Sequence, residues 1–461
     1  MKQLYLKYKP HYQANLKLAV PVIISQLGHT LVQTADSIIV GHFIGTVALA
    51  AVSLVSSIFM ITLVIGIGIS YGLTPLIAQK NGENDYDACG KLLSNSLLIN
   101  TIAGIVLYIV VHFGSLLVID HLNQSVEVVH VAKPYLSLLS LSIIPLMVFM
   151  AFKQFAEGLG FTKQAMTISI WGNVLNVIIG VILVKGMFGF EPMGVAGVGI
   201  ATLIDRILMM LIMAAFVLRS KHFRLYLQSF TLRAINRLQS VQILKIGAPV
   251  AMQYVFEVGA FGGASILIGT MGAVPQAAHL VAISLASMTY MMASGISAAA
   301  TVNTGNNYGK KQFHQLRSSA ISNYHIVLCL MTFTALVFMI MNEYLPWLYT
   351  SDDAVIKIAA HLLIIAGFFQ LFDGAQVVGL GILRGIGDVN IPTMITFVAY
   401  WIIGLPCGYY CGIMLNLGPV GVWYGLTVGL LFSSGLLFLR FHYFSQKLIA
   451  EKIGIQTYDK D

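Results

Sequence analysis

Charge is scarce in this chain. Of its 461 residues only 10% are Asp, Glu, Lys or Arg, while 57% are hydrophobic; a soluble globular chain carries about 25% charged residues. That shortage excludes the polar surfaces that the two or three domains of a soluble chain this long would need. Cysteine is scarce too. Of Cys89, Cys329, Cys407 and Cys411, the last two share a helix face but lie in an apolar run with no partner ligands, so they read as packing residues rather than a metal or disulfide pair. No ATP-binding loop occurs: Gly305-Asn306-Asn307-Tyr308-Gly309-Lys310 is one residue short of the phosphate-binding pattern and falls at a helix end. Neither a Ser/His/Asp arrangement nor a metal-spaced histidine cluster is found, which argues against an enzyme. Met1 to Gln13 lacks an apolar core, so no cleaved signal peptide is expected and the first helix directs insertion.

What is abundant is long apolar sequence. Leu97 to Val118 and Tyr135 to Phe152 contain no charged residue, and about 20 such residues span the hydrocarbon core. Only helices or closed barrels satisfy the backbone in lipid, and these runs lack the period-two alternation of barrel strands. The reading is an all-α membrane protein with twelve transmembrane helices, near 15–42, 47–78, 92–116, 133–156, 165–187, 194–219, 241–271, 276–306, 317–342, 356–381, 392–414 and 419–444.

The formal charge of +8 fits cytoplasmic loops better than nucleic acid, and no nucleic-acid partner is expected. With the N-terminus in the cytoplasm, all but four of the 26 Lys and Arg residues fall at cytoplasmic ends and loops. The exceptions are Lys133, Lys185 and Lys357 at outer ends and Arg206 inside a helix. An even helix number then leaves both termini cytoplasmic.

The chain is also internally repeated. Leu16-Lys17-Leu18-Ala19-Val20-Pro21-Val22 matches Leu244-Lys245-Ile246-Gly247-Ala248-Pro249-Val250 at an offset of 228, and Gly68-Ile69-Ser70 matches Gly295-Ile296-Ser297 at 227. The division expected is a six-helix lobe over 1–219, a cytoplasmic linker over 220–240 and a second six-helix lobe over 241–461. Even-numbered repeats run parallel and, in many secondary transporters, form two pseudo-symmetric lobes around a cavity.

Without a nucleotide site, uphill transport needs an ion gradient, and ionisable residues inside helices are where it would act. Asp36, Asp205, Glu257 and Asp373 qualify. Asp36, within Gln33-Thr34-Ala35-Asp36-Ser37, is either tied to its neighbouring hydroxyls or a reversible cation site. Burial disfavours a charged carboxylate and a bound cation favours it, which is the exchange an antiporter uses. Glu257 and Asp373 can share a metal ion or a proton. Asp205 and Arg206 are adjacent on one helix, so each needs a partner elsewhere; a structural ion pair is the plainer reading. Asn173 and Asn176 share a face, and with Thr202 they offer oxygens for a Na⁺ shell or hydrogen bonds between helices. A substrate cavity would draw on Met288, Tyr290, Met291 and Met292, since methionine adapts to varied apolar shapes and aromatic faces attract organic cations; Gln33 and Tyr254 are further candidates. The same methionine stripe also suits plain packing, as do His29, His42, His279 and His325 taken singly.

These residues resemble the multidrug and toxic compound extrusion (MATE) family in its bacterial NorM-like branch. The resemblance covers nearly the whole chain. It rests on Pro21 with Asp36, Pro75-Leu76-Ile77-Ala78-Gln79-Lys80-Asn81-Gly82, Glu157-Gly158-Leu159-Gly160-Phe161-Thr162-Lys163, Pro249 with Glu257, Ala277-Ala278-His279, and Asp373-Gly374-Ala375-Gln376-Val377-Val378 running to Leu383-Arg384-Gly385. It implies two six-helix lobes, alternating access and export of cationic, amphiphilic compounds against Na⁺ or H⁺, with no other cofactor. It also implies roles for Asp36 as the first lobe's acidic residue, with Asn176 and Thr202 as polar partners, and for Glu257 and Asp373 as a cation pair holding any Na⁺. Phe369 and Gly180 depart from the pattern, where relatives can carry a tyrosine and an asparagine, and Asp205-Arg206 stands outside it. The expected partners are small cationic drugs or toxins and the lipid bilayer; the expected setting is the bacterial inner membrane, as a monomer. A lipid-linked or polysaccharide flippase of the same superfamily is the alternative. The mostly acidic charges inside the helices favour cationic cargo over it.

Overall fold

The computed structural model describes residues 2–119, 121 and 125–458. In chain order its helices are α1 (Lys2–Phe43), α2 (Thr46–Ser70), α3 (Leu73–Gly82), α4 (Tyr86–Ile119), α5 (Val126–Leu141), α6 (Ile143–Gly158), α7 (Thr162–Lys185), α8 (Gly194–Arg219), α9 (Arg237–Gly269), α10 (Ala273–Gly309), α11 (Phe313–Ile340), α12 (Asp353–Ile386), α13 (Asn390–Phe397), α14 (Leu405–Tyr409) and α15 (Gly418–Tyr458). Among the described residues twelve spans are long and apolar enough to cross a membrane, and each coincides with one helix expected from hydropathy. The chain is an all-α, multi-pass membrane protein with no strand among the described residues.

Three spans are interrupted for identifiable reasons. α2 and α3 form one span broken at Tyr71-Gly72, where a Cβ on Gly72 would lie 2.4 Å from the Ile243 carbonyl oxygen. α5 and α6 part at Ser142, whose hydroxyl donates back to the Leu139 carbonyl at 2.6 Å and so competes with regular backbone pairing. The eleventh span holds π-helical segments at Val398–Gly404 and Tyr410–Met414 on either side of α14. Pro406 sits at the start of α14; it lacks an N–H and its ring crowds the carbonyl four residues back.

α1 begins thirteen residues earlier than hydropathy indicates, at Lys2 rather than near 15. Its polar start is held by side chains. Tyr12 hydrogen-bonds His325 at 2.9 Å, and the Asn15 amide donates to the Ser322 hydroxyl at 2.6 Å.

The chain forms two compact units, one of Ile24–Ala251 and one of the chain up to Ile23 together with Met252 onward. Both partings fall inside long helices, α1 and α9. In the first unit, Leu73, Phe149, Phe155 and Phe223 are fully buried core side chains. The polar stretch between α8 and α9 is ordered against this unit. Phe223 meets Phe161 and Phe216 edge to face and Phe155 at a tilt, and the Tyr226 hydroxyl donates to Asn81 Oδ1 at 2.9 Å. In the second unit, Trp423, Tyr400, Phe369 and Phe441 are buried among small and branched residues.

Candidate functional site

In the 24–251 unit, polar side chains from α1, α7 and α8 are buried inside the span. Thr34 and Ser37 donate to their own helix, to the Thr30 and Gln33 carbonyls at 3.1 Å each. The neighbouring hydroxyls therefore do not tie up Asp36, whose Oδ1 is buried with no hydrogen-bond partner. On α7, Asn173 and Asn176 are 6% and 2% exposed. The Asn176 amide donates to the Thr202 hydroxyl at 3.3 Å, and that hydroxyl donates to the Val198 carbonyl at 3.1 Å. α1 comes close to Asn173 at Gly28, where a Cβ would stand 3.1 Å from Asn173 Nδ2. Two departures from the family pattern have simple surroundings: Gly180 faces only Ala201, and Phe369 is packed with Phe261 and Trp423 at ring distances of 6.0 and 5.3 Å.

In the second unit, Glu257 of α9 and Asp373 of α12 are 5% and 3% exposed. Each keeps one carboxylate oxygen buried with no hydrogen-bond partner, and the Asp373 charge acts on Glu257. Tyr290 of α10 donates to Glu257 Oε2 at a long 3.4 Å. Tyr400 receives the Gln376 amide at 2.9 Å and feels both carboxylates. Of the cavity candidates, Tyr290 thus joins the acidic pair, and Tyr254 stands one turn before Glu257 on α9. Met291 and Met292 are half-buried, while Met288 and Gln33 are exposed. His279 accepts from the Trp423 indole at 3.1 Å, a packing contact.

Two contacts of charged residues go beyond the sequence reading. Lys153 and Glu157 form an i,i+4 ion pair on α6 at 3.8 Å with both side chains buried; that spacing was readable. Arg206 donates to the Ser142 hydroxyl at 2.6 Å, a partner 64 residues away that no local pattern reveals. No group of three or more His, Cys, Asp or Glu is placed to hold a metal among the described residues.

The MatE family pattern matches this chain twice, over residues 21–182 and 249–410. The two matches are displaced by 228 residues (249 against 21), the offset of the Pro21 and Pro249 repeat. The chain is 31% identical to the multidrug resistance protein NorM of Vibrio vulnificus (strain YJ016), over 95% of this chain and 96% of that one. It is 29% identical to the multidrug resistance protein MdtK of Yersinia pseudotuberculosis serotype O:1b (strain IP 31758), over 96% and 97%. A crystal structure of a MATE transporter in the straight conformation shares the fold with a TM-score of 0.88 at 22% identity, over 98% of this chain and 99% of that one. Twelve spans, a twice-matched family pattern and near-complete coverage of its relatives agree: the chain belongs to the MatE family of multidrug and toxic compound extrusion transporters.

Proposed function

We propose that the chain is a secondary active multidrug efflux transporter of the bacterial cytoplasmic membrane, with both termini in the cytoplasm. It exports cationic, amphiphilic organic compounds by alternating access, against inward movement of Na⁺ or H⁺. The two sequence-level lobes, 1–219 and 241–461, carry the transport cycle as a monomer. The observation that carries this reading is the burial of the Glu257 and Asp373 carboxylates and of one oxygen of the half-buried Asp36, each with an oxygen that has no hydrogen-bond partner. Burial of a carboxylate is costly unless something compensates its charge. A transported cation does so reversibly, and a membrane protein that carries no nucleotide-binding loop needs such a site to draw on a gradient.

The two units arrange their acidic groups differently, although their sequences align. Asp36 shares its unit with neutral Asn173, Asn176 and Thr202 and with Asp205, which adjoins Arg206 on α8. Glu257 and Asp373 stand together in the other, where mutual repulsion favours a shared cation. The supported division of labour is cation binding at Glu257 and Asp373 and exchange with the drug at Asp36. The names of the NorM and MdtK relatives support multidrug cargo. The test is accumulation of a fluorescent cationic dye in cells lacking their own exporters. Expression of this chain is expected to lower accumulation, and addition of an ionophore that collapses the driving gradient is expected to restore it. Unchanged accumulation of cationic dyes at confirmed membrane expression would remove the reading.

A further inference from the structure

The π-helical segment Val398–Gly404 of the eleventh span touches both helices that carry the acidic pair of the second unit. Such segments are rare and concentrate at functional sites. On one side lies α9. The Trp401 indole donates to the Phe256 carbonyl at 3.0 Å, one residue before Glu257. The same ring would lie 3.0 Å from a Cβ on Gly259, so the glycine gives the indole room to approach. Phe397, just before the segment, meets the Phe256 ring at 4.9 Å. These contacts hold α9 on either side of Glu257. On the other side lies α12. Tyr400 is fully buried, and its hydroxyl accepts from the Gln376 amide at 2.9 Å. Gln376 follows Asp373 by three residues, a spacing that makes them neighbours on the helix surface.

The segment is also fixed from behind. α15 presents Gly425 and Gly429 to it. A Cβ on either would lie 2.6 Å from a carbonyl oxygen of the segment, that of Gly404 for Gly425 and that of Ala399 for Gly429. Small residues four apart let helix backbones meet in lipid. Pro406 follows two residues after the segment and cannot supply an N–H to regular pairing. With its back against α15, the segment cannot move away from α9 or α12 without losing the indole or the phenol hydrogen bond. One turn of the eleventh span thus sets α9 beside Glu257 and α12 beside Asp373 at the same time.

We propose, resting on the reading of Glu257 and Asp373 as a shared cation site, that Trp401 and Tyr400 are its positioning residues and determine which cation it prefers. Neither side chain has to touch the ion. Trp401 acts through the α9 backbone and Tyr400 through Gln376, and together they set the separation of the two carboxylates. Selection among hard cations depends on the size and rigidity of the oxygen cage. A loosened pair keeps both negative charges and so keeps its attraction for cations, but it loses discrimination by size.

The test titrates the purified full chain by calorimetry with NaCl and, separately, RbCl, with choline chloride holding the ionic strength. Trp401→Phe keeps a ring and removes the N–H; Tyr400→Phe keeps the ring and removes the oxygen that Gln376 reaches. Each is expected to weaken the preferred ion about tenfold and the other ion less, so that the ratio of the two affinities moves toward one. Unfolding temperature is followed in parallel. Leu437→Ala, a truncation in the buried cluster around Tyr324 and Phe441 of the same unit, serves as the control: it is expected to lower the unfolding temperature and leave the ratio alone. A ratio unchanged in both Trp401→Phe and Tyr400→Phe overturns the proposal. So does a ratio that Leu437→Ala shifts equally, because selectivity would then follow stability alone. Absence of cation binding in the unsubstituted chain, or binding that survives Glu257→Gln combined with Asp373→Asn, overturns the reading of the site and the proposal with it. Binding that this pair of substitutions abolishes, with a ratio indifferent to Trp401 and Tyr400, overturns the proposal alone.

Discussion

Gly68 of α2 approaches Ala251 of α9 so closely that a Cβ on Gly68 would lie 2.3 Å from the Ala251 Cα. The same contact recurs within the other unit, where a Cβ on Gly295 would lie 2.7 Å from the Ile23 backbone nitrogen. The glycines are 227 residues apart and their partners 228, so the Gly-Ile-Ser repeat seen in the sequence is a duplicated helix crossing. Small residues at such crossings let backbones meet in a membrane, where packing rather than water drives helix association. Gly68→Leu cannot be absorbed by a side-chain shift, because the obstructing atoms are backbone. Its cost is expected at about 3 kcal/mol or more, at or beyond the overpacking range. The check is the yield and unfolding temperature of detergent-purified Gly68→Leu beside Gly435→Leu, a glycine with nothing within 4 Å of a built Cβ; only the first is expected to collapse.

Asp36→Asn is expected to abolish coupled export while the protein remains folded and inserted. A neutral amide keeps the shape of the side chain but cannot alternate between charged and neutral forms. The measurement is dye efflux at matched expression, with the elution profile of the purified variant as the folding control. Efflux equal to that of the unsubstituted chain would remove Asp36 from the mechanism.

Tyr290→Phe removes the hydroxyl that reaches Glu257 at 3.4 Å. A hydrogen bond to a charged group contributes about 1.5–3 kcal/mol at good geometry, and this one is longer than ideal, so a loss near about 1 kcal/mol is expected. That is roughly a fivefold change in Na⁺ affinity of the Glu257 and Asp373 pair. Calorimetric Na⁺ titration of the purified protein with and without Tyr290→Phe reads it directly.

In the stretch between α8 and α9, burial first, then the nearby Cys89 and Tyr86, raises the Tyr226 phenol above its ordinary value of 10.0. A group whose folded pKa is raised contributes stability that is fully present below the unfolded pKa and is lost as pH climbs through the folded one. Unfolding temperature is therefore expected to fall as pH rises beyond about 10, with a shallower fall in Tyr226→Phe. At neutral pH the variant is expected to be less stable by about 1 kcal/mol, through loss of the hydrogen bond to Asn81. Parallel alkaline slopes for the two proteins would exclude Tyr226 as a contributor.

The spans were legible because lipid allows one backbone solution and the apolar runs mark its length. The polar start of α1 was not, since Tyr12 and Asn15 owe their helical setting to α10 and α11, far along the chain. Asp36, Glu257 and Asp373 were legible as charges stranded in apolar sequence. Their surroundings were not: hydropathy could not show that Thr34 and Ser37 turn to their own helix rather than to Asp36, or that Tyr290 reaches Glu257. Asp205 and Arg206 looked like members of structural ion pairs. Their separation became readable only when Ser142, at the helix break just before Pro145, was found beside the guanidinium.

The most direct measurement is drug movement in proteoliposomes holding the purified chain, with Na⁺ and pH gradients imposed one at a time. The expected result is uptake of an organic cation against its own gradient when at least one ion gradient runs oppositely. That uptake is expected to be lost in the combined Asp36→Asn, Glu257→Gln, Asp373→Asn protein. Uphill uptake that persists in that protein, or drug movement in the unsubstituted chain that only ever runs downhill whichever gradient is imposed, would contradict cation-coupled export.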